Sequence, residues 1–289
     1  MLMRRAAKFA ALANVRAGIL GANKTRRLGA FLDAALGPKC LPITAVGPER
    51  LEGAIERLIL YRPEAVIVLG GDGTASSALR RLSSENIAVV PLPGGSLNRI
   101  SKSVYGAACI RDILTSLESG APVPIASGSI NGVHFYCAAG YGAPMALAKS
   151  RESLRAGQPL EAAKIFTETS STLFQPKFEY EGFQASVAVA SPRPIDAAFG
   201  LASAAGPSEP ELAVGAWSKP AQLFSFCLSV LAQDWRGEAC VVAQSAVTAS
   251  LRSLDGPLPV LIDGEDGPSS EFAYIEFDSE PGLVWRPSQ

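Results

Sequence analysis

The run Val66-Ile67-Val68-Leu69-Gly70-Gly71-Asp72-Gly73-Thr74 leaves this chain few ways to fold. Four branched apolar residues in a row predict a strand covered on both faces, because a strand with one wet face would alternate polar with apolar positions. Thr74 opens a helical stretch through Ala75 to Leu82, so the glycines make a strand-to-helix turn. Glycine reaches φ > 0, lets a ligand approach the main chain, and allows successive N–H groups to converge on an anion. A carboxylate in such a nest repels phosphate unless a metal or a proton transfer uses it. Asp72 therefore points to phosphoryl transfer, orienting or deprotonating an attacking hydroxyl with magnesium nearby. The plainer alternative is that Asp72 caps the helix and the glycines only make a tight turn.

The pattern then repeats. Ile87-Ala88-Val89-Val90 is a second short strand, Pro91-Leu92-Pro93-Gly94-Gly95-Ser96-Leu97-Asn98 a second glycine turn, and a helix is expected from Arg99. Two such turns in successive strand–helix units lie side by side at the carboxyl ends of parallel strands, where open α/β sheets bind ligands. Ser96 and Asn98 add uncharged hydrogen-bonding groups. Further on, Val260-Leu261-Ile262-Asp263-Gly264-Glu265 ends an apolar strand in two carboxylates. If the strand continued, both would share a face suited to a metal or a general base. Taken alone, Asp-Gly reads better as a hairpin turn.

Gly70–Thr74, Pro91–Asn98 and Asp263–Glu265 together, in order and spacing, resemble the diacylglycerol kinase catalytic family, which includes sphingosine and ceramide kinases and bacterial lipid kinases. Ser129–Tyr136 with Ala139-Gly140-Tyr141-Gly142 resembles the opening of that family's second domain. The resemblance implies ATP-dependent phosphorylation of a lipid hydroxyl. Gly70, Gly71, Gly73 and Thr74 would hold nucleotide phosphates with Asp72 near the reacting hydroxyl, and Gly95, Ser96 and Asn98 would complete the nucleotide site. Asp263 and Asp72 would help to hold Mg2+. Asp263 and Glu265 would face the first domain across a cleft, and Glu265 rivals Asp72 as base. The family's first loop, often Asn-Pro-x-Ser-Gly, is matched weakly by Gly21–Thr25, which makes Asn23 and Thr25 secondary phosphate candidates. Arg99 follows Asn98 where bacterial members carry an acidic residue, and Ser208–Leu212 replaces an acidic stretch linked to a structural metal.

A chain of 289 residues with 48% hydrophobic and 18% charged residues is long enough for two cores. The expected architecture is α/β followed by β: a doubly wound α/β nucleotide-binding domain over 1–122, with a first strand near 17–20, and a β-rich lipid-substrate domain over 123–279. The resemblance implies an antiparallel β-sandwich for the second domain and a return of 280–289 to the first. Helical patterns lie near 160–174 and 220–233.

Arg4, Arg5, Lys8, Arg16, Lys24, Arg26, Arg27 and Lys39 make the amino-terminal end basic, and residues 255–289 are acidic. The basic end suits ATP, an anionic membrane, or pairing with the acidic end. Residues 1–14 read as a signal-like segment or as an amphipathic basic helix lying on a membrane. Leu223–Leu231 with Trp235 and Arg236 reads as core, with a membrane interface as the rival. The chain is expected to be cytoplasmic, touching the inner leaflet peripherally; a homodimer is left open. Cys40, Cys109, Cys137, Cys227 and Cys240 form no Cys-x-x-Cys pair and suit reduced thiols. With His134 the sole histidine, a Ser-His-Asp hydrolase or a multi-histidine zinc site is disfavoured, and no motif suggests nucleic acid. Two rival functions remain: a NAD kinase, which shares Gly-Gly-Asp-Gly-Thr, and a non-catalytic nucleotide-binding regulator.

Overall fold

A computed structural model describes residues 8–16, 22–95, 97–142, 158, 160, 164, 174–195, 209–231, 235–277 and 281–287. The chain divides into two compact units, Met1–Ile125 with Pro281–Gln289, and Ala126–Glu280.

The first unit is built on a six-stranded sheet. Its strands are β1 (Phe9–Asn14), β2 (Thr44–Val46), β3 (Ala65–Gly70), β4 (Ala88–Pro93), β5 (Gly120–Ile125) and β18 (Gly282–Pro287), in the order β2-β1-β3-β4-β18-β5. β1 to β4 and β18 run parallel, and only β5 is antiparallel to its neighbour. Every residue of β1 and of β3 is buried, which is why both read as unbroken apolar runs.

One face of the sheet packs Phe9, Ala11, Ile67, Leu69 and Val90 against Leu28 and Leu32 of α1 (Ala22–Leu36), Ile113 and Leu114 of α5 (Ile110–Thr115), and Trp285. The opposite face lies under α2 (Leu51–Ile59) and α3 (Asp72–Leu82). Helices on both faces make the sheet doubly wound. Each Val, Leu or Ile fully buried this way contributes roughly 1.5–3 kcal/mol. Trp285 locks the returning strand: its ring meets Phe9 edge-on with centroids 5.4 Å apart, and its indole N–H donates to the Leu117 carbonyl at 3.0 Å.

Two expectations for the amino-terminal end need correction. The first strand is Phe9–Asn14, not 17–20, and those four residues lie outside the described ones. Phe9–Asn14 is thus no part of a membrane-surface helix. Short, alanine-rich strands carry a weak pattern, and here burial between two neighbouring strands overrides it. Among the described basic residues of this end, Lys8, Arg16 and Lys39 form ion pairs with Glu64, Glu49 and Glu118, and Lys8 also lies over the Trp285 ring.

The second unit is all antiparallel sheet with a helix. Its strands are β6 (Gly128–Ile130), β7 (Val133–Phe135), β8 (Ala139–Gly142), β9 (Phe178–Tyr180), β10 (Phe183–Ala185), β11 (Val187–Ser191), β12 (Glu211–Gly215), β13 (Val241–Ser245), β14 (Thr248–Ser253), β15 (Leu258–Ile262), β16 (Glu265–Ser270) and β17 (Phe272–Phe277). They form two six-stranded sheets, β10-β9-β14-β17-β6-β7 and β13-β12-β11-β8-β15-β16. One core joins the sheets, with Phe135, Phe178, Leu251 and Ile275 from the first meeting Tyr141, Leu212, Val260 and Ile262 from the second. That is a sandwich. The helical pattern near 220–233 is α6 (Pro220–Leu231), whereas the one near 160–174 falls almost wholly outside the described residues.

Candidate active site

In the first unit, β1 sends the chain to β2 on one side while β3 lies on its other side. The carboxyl ends of β1 and β3 therefore flank the point where strand order reverses, the place where a doubly wound sheet opens a crevice. Asn14 ends β1, Gly70 ends β3, and Pro93 ends β4.

The two glycine turns are packed main chain on main chain. A Cβ on Gly95 would stand 2.5 Å from the Gly71 Cα, and a Cβ on Gly70 would meet the Thr74 side chain at 2.5 Å. Glycine at these positions is thus required by contact. The Gly94 N–H donates to the Gly70 carbonyl at 2.9 Å, carrying the β3–β4 ladder into the turns. Asn98 sits at φ 51°, in the left-handed region that asparagine tolerates, just ahead of α4 (Arg99–Tyr105). Its Oδ1 accepts the Gly95 N–H at 2.7 Å and its Nδ2 donates to the Gly95 carbonyl at 2.8 Å. Asn98 thereby clasps its own loop shut.

Asp72 joins the turns. It is the first residue of α3, which starts two residues ahead of the expected Thr74, and its Oδ1 accepts the Ile100 N–H at 3.0 Å. The carboxylate thereby caps the helix that follows the second turn. Thr74 is buried, and its hydroxyl accepts a hydrogen bond from Asn14 Nδ2 at 3.0 Å, while Asn14 Oδ1 accepts the Arg16 N–H at 3.1 Å.

Sequence reasoning missed Asn14. The signal was present: Asn14-Val15-Arg16-Ala17-Gly18 has Asn and Gly at the spacing of Asn-Pro-x-Ser-Gly, but a strand placed at 17–20 hid it. Thr25 is buried in α1, with no hydrogen-bond partner for its hydroxyl among the described residues. The Asn23 side chain and Ser96 lie outside those residues.

The arrangement fits a phosphate group. Ala75 N–H, on the Gly71 carbonyl at 3.0 Å, is the first amide of α3 with an i−4 partner. The amides of Asp72, Gly73 and Thr74 precede it at the positive end of an eleven-residue helix, where helices bind anions. For a metal, the described residues hold no cluster of three or more His, Cys, Asp or Glu side chains. Magnesium needs none, since it takes one or two carboxylates and completes its shell with substrate phosphates and water. Asp72 is the carboxylate at these turns.

In the second unit, Asp263 and Gly264 have φ values of 51° and 93°, so they are the two central residues of a tight hairpin turn between β15 and β16. The chain turns there, and the continuing strand weighed against it does not form. The Asp263 side chain is buried, and its carboxylate accepts the backbone N–H groups of Tyr136, Cys137 and Ala138 at 2.7–3.2 Å. Glu265, two residues on, is exposed.

Glu211, in the acidic stretch, is 4% exposed and binds Arg236 through both oxygens at 2.6 and 2.8 Å, as well as the Ile195 N–H at 2.8 Å. An internal guanidinium does there what a cation would do. Arg236 also stacks on buried Trp235 at 4.3 Å, so this pair is architecture and not a membrane anchor.

Comparison with known proteins agrees with this geometry. Residues 9–130 match the diacylglycerol kinase catalytic domain. No curated protein matches the chain. The crystal structure of a candidate diacylglycerol kinase from Bacillus anthracis str. Sterne superposes with a TM-score of 0.67 at 17% identity, covering 96% of each chain. Another diacylglycerol kinase structure from the same organism gives 0.61 at 18% identity over 94% of each. At such identity the likeness is one of fold.

Proposed function

We propose, from the match of residues 9–130 to the diacylglycerol kinase catalytic domain, that the protein is an ATP-dependent lipid kinase. It would transfer the γ-phosphoryl group to a hydroxyl of a membrane lipid of the diacylglycerol or ceramide and sphingoid type. The observation that carries the reading is the pair of glycine turns at the ends of β3 and β4, close enough that a single methyl group on Gly95 would collide with Gly71.

In this reading the amides at the start of α3, with Gly70, Gly71, Gly73 and Gly95, hold the nucleotide phosphates. Asn98 and Asn14 fix the loops that present them, and Ser96, Asn23 and Thr25 are further candidates for contact. A carboxylate, Asp72 or Glu265, takes the proton of the lipid hydroxyl as its oxygen bonds the γ-phosphorus and the bond from that phosphorus to the bridging oxygen breaks, releasing ADP. Magnesium, bound with the nucleotide and held by Asp72, would neutralise phosphate charge. No helix among the described residues is long and apolar enough to cross a membrane. The lipid would be met at the surface of the inner leaflet.

The test is transfer of label from radiolabelled ATP, with magnesium, into mixed micelles holding diacylglycerol, ceramide or sphingosine separately. Label in one lipid, lost in Asp72→Ala, supports the reading and identifies the acceptor. Label in none of them, with ATP still bound, favours a non-catalytic nucleotide-binding protein, and label in added NAD would make it a NAD kinase.

A further inference from the structure

We infer that Asp263 and Arg193 are positioning residues for Glu265, and that Asp263 is not a metal ligand. The inference rests on the kinase reading for the reaction that Glu265 would serve, but its physical content lies entirely within the second unit. Asp263 places its carboxylate on three successive backbone amides, with Oδ1 accepting from Tyr136, Cys137 and Ala138 and Oδ2 accepting from Tyr136. Its own N–H donates to the Ala138 carbonyl at 2.9 Å. A carboxylate this engaged and only 8% exposed has its lone pairs directed at the main chain. A metal ion would have to displace charge-assisted bonds that already satisfy it.

The far side of the same segment is held as firmly. Arg193, whose guanidinium pKa is lowered by burial against the opposing pull of Cys137 and Asp263, donates from Nη2 to the Tyr136 carbonyl at 3.1 Å. The Ser191 hydroxyl donates to the Cys137 carbonyl at 3.0 Å. Residues 136–138 thus have their amides on Asp263 and two of their carbonyls on the strand end at 191–193. Ile195, just beyond, is fixed by Glu211, and Glu211 by Arg236. The hairpin turn is clamped to a segment that is itself clamped.

Glu265 leaves this turn as the first residue of β16, with its backbone paired to Ile262. Asp263, a non-glycine residue, holds φ 51° in this turn, and its carboxylate ties the turn, and with it the first residue of β16, to the segment 136–138.

The experiment uses the full chain and compares the unaltered protein with Asp263→Asn, Arg193→Gln, Glu265→Gln and the double variant Asp263→Asn/Glu265→Gln. Lipid phosphorylation is measured against ATP and magnesium concentration, and amide hydrogen exchange is followed at residues 136–138. The side-chain amide introduced by Asp263→Asn keeps one acceptor oxygen, so the fold should survive. The expected result for this variant is a fall of up to about 100-fold in kcat, the cost of misplacing a reacting group by about 1 Å. The half-saturating magnesium concentration should stay unchanged, and exchange at Tyr136 to Ala138 should quicken. Arg193→Gln should do the same more weakly.

Because Asp263 acts through Glu265, the double variant should be no slower than Glu265→Gln alone. A clear rise in the magnesium requirement with unchanged exchange would make Asp263 a metal ligand and overturn the inference. So would losses that multiply in the double variant. If Asp263→Asn fails to fold, Arg193→Gln decides by the same readouts. Failure of the unaltered protein to label any lipid would sink the kinase reading, and the role of Glu265 with it, while exchange at 136–138 would still report separately on the anchor.

Discussion

Asp72 and Asp263 share a local sequence, each followed by glycine just past a buried strand, and the fold gives them different environments. Asp72 starts a helix, stays partly exposed, and accepts the Ile100 amide from the helix after the neighbouring turn. Asp263 closes a hairpin, is buried, and accepts three amides from a segment more than a hundred residues away in sequence. The difference lies in what surrounds each carboxylate. One stands beside a helix N-terminus whose own amides suit an anion, and the other is enclosed by amides that already donate to it. In the proposed reading the same dipeptide serves chemistry in the first setting and architecture in the second.

The comparison breaks if activity and stability respond alike at the two sites. The largest effect is expected on turnover at Asp72. Asp72→Asn preserves an oxygen for the Ile100 amide but removes the charge, so lipid phosphorylation should fall by about 10²–10⁴-fold, the contribution of a general base. Stability should change by only about 0.3–1 kcal/mol, the value of a charge at a helix N-terminus. Steady-state kinetics beside a denaturant melt gives both numbers, and a variant that stays active rules Asp72 out as the base. Asp263→Ala should weigh more on stability, and less on turnover, than Asp72→Asn does. Three amides, two on buried residues and the third on half-buried Ala138, lose their acceptor at about 1–3 kcal/mol apiece when unsatisfied, with water recovering part, so a loss of roughly 3 kcal/mol is expected. A melting curve for that variant close to the unaltered one would show that the amide nest bears no load.

A third substitution sharpens the reading of the first turn. Gly95→Ala puts a methyl group 2.5 Å from the Gly71 Cα, an overlap with main chain that no rotamer relieves. Forcing the turns apart should cost about 1–3 kcal/mol in stability, as overpacking does. If the turns cradle the nucleotide phosphates as proposed, it should also weaken ATP binding by about tenfold or more, equivalent to 1.4 kcal/mol. Calorimetric titration with ATP checks it, and undiminished affinity would place the nucleotide elsewhere.

Legibility in the sequence followed the strength of the local pattern. Val66–Leu69 and Ile87–Val90 are dense in β-branched residues and end in glycine, so strand, turn and helix were readable in order, as were β15, β17 and α6. The sandwich and the doubly wound sheet came from the succession of such elements together with the family resemblance. Phe9–Asn14 was not read as a strand, because three of its six residues are alanine and basic residues precede it. Only its place between β2 and β3 makes it one. The three amides on Asp263 were also invisible, since a contact between residues 136–138 and 263 depends on β8 pairing with β15, which no local pattern states. Backbone geometry decided between the hairpin, which the Asp-Gly pair favours on its own, and the continuing strand that would have put both carboxylates on one face.

The smallest effect, and the one that tests what was overlooked, belongs to Asn14. Its Nδ2 donates to the Thr74 hydroxyl, so the hydroxyl proton is directed away from Asn14 and Thr74 is fixed against Gly70. Asn14→Ala removes one buried hydrogen bond and should cost about 1 kcal/mol, a few degrees at most in Tm. If Asn14 only supports the sheet, KM for ATP should stay as it was while the protein becomes less stable. If it orients the phosphate turn, KM for ATP should rise severalfold, and Asn14→Asp should be worse than alanine because it adds a negative charge beside the phosphates and removes the donor. That ordering, alanine milder than aspartate in ATP affinity, separates a residue of the crevice from one of the core.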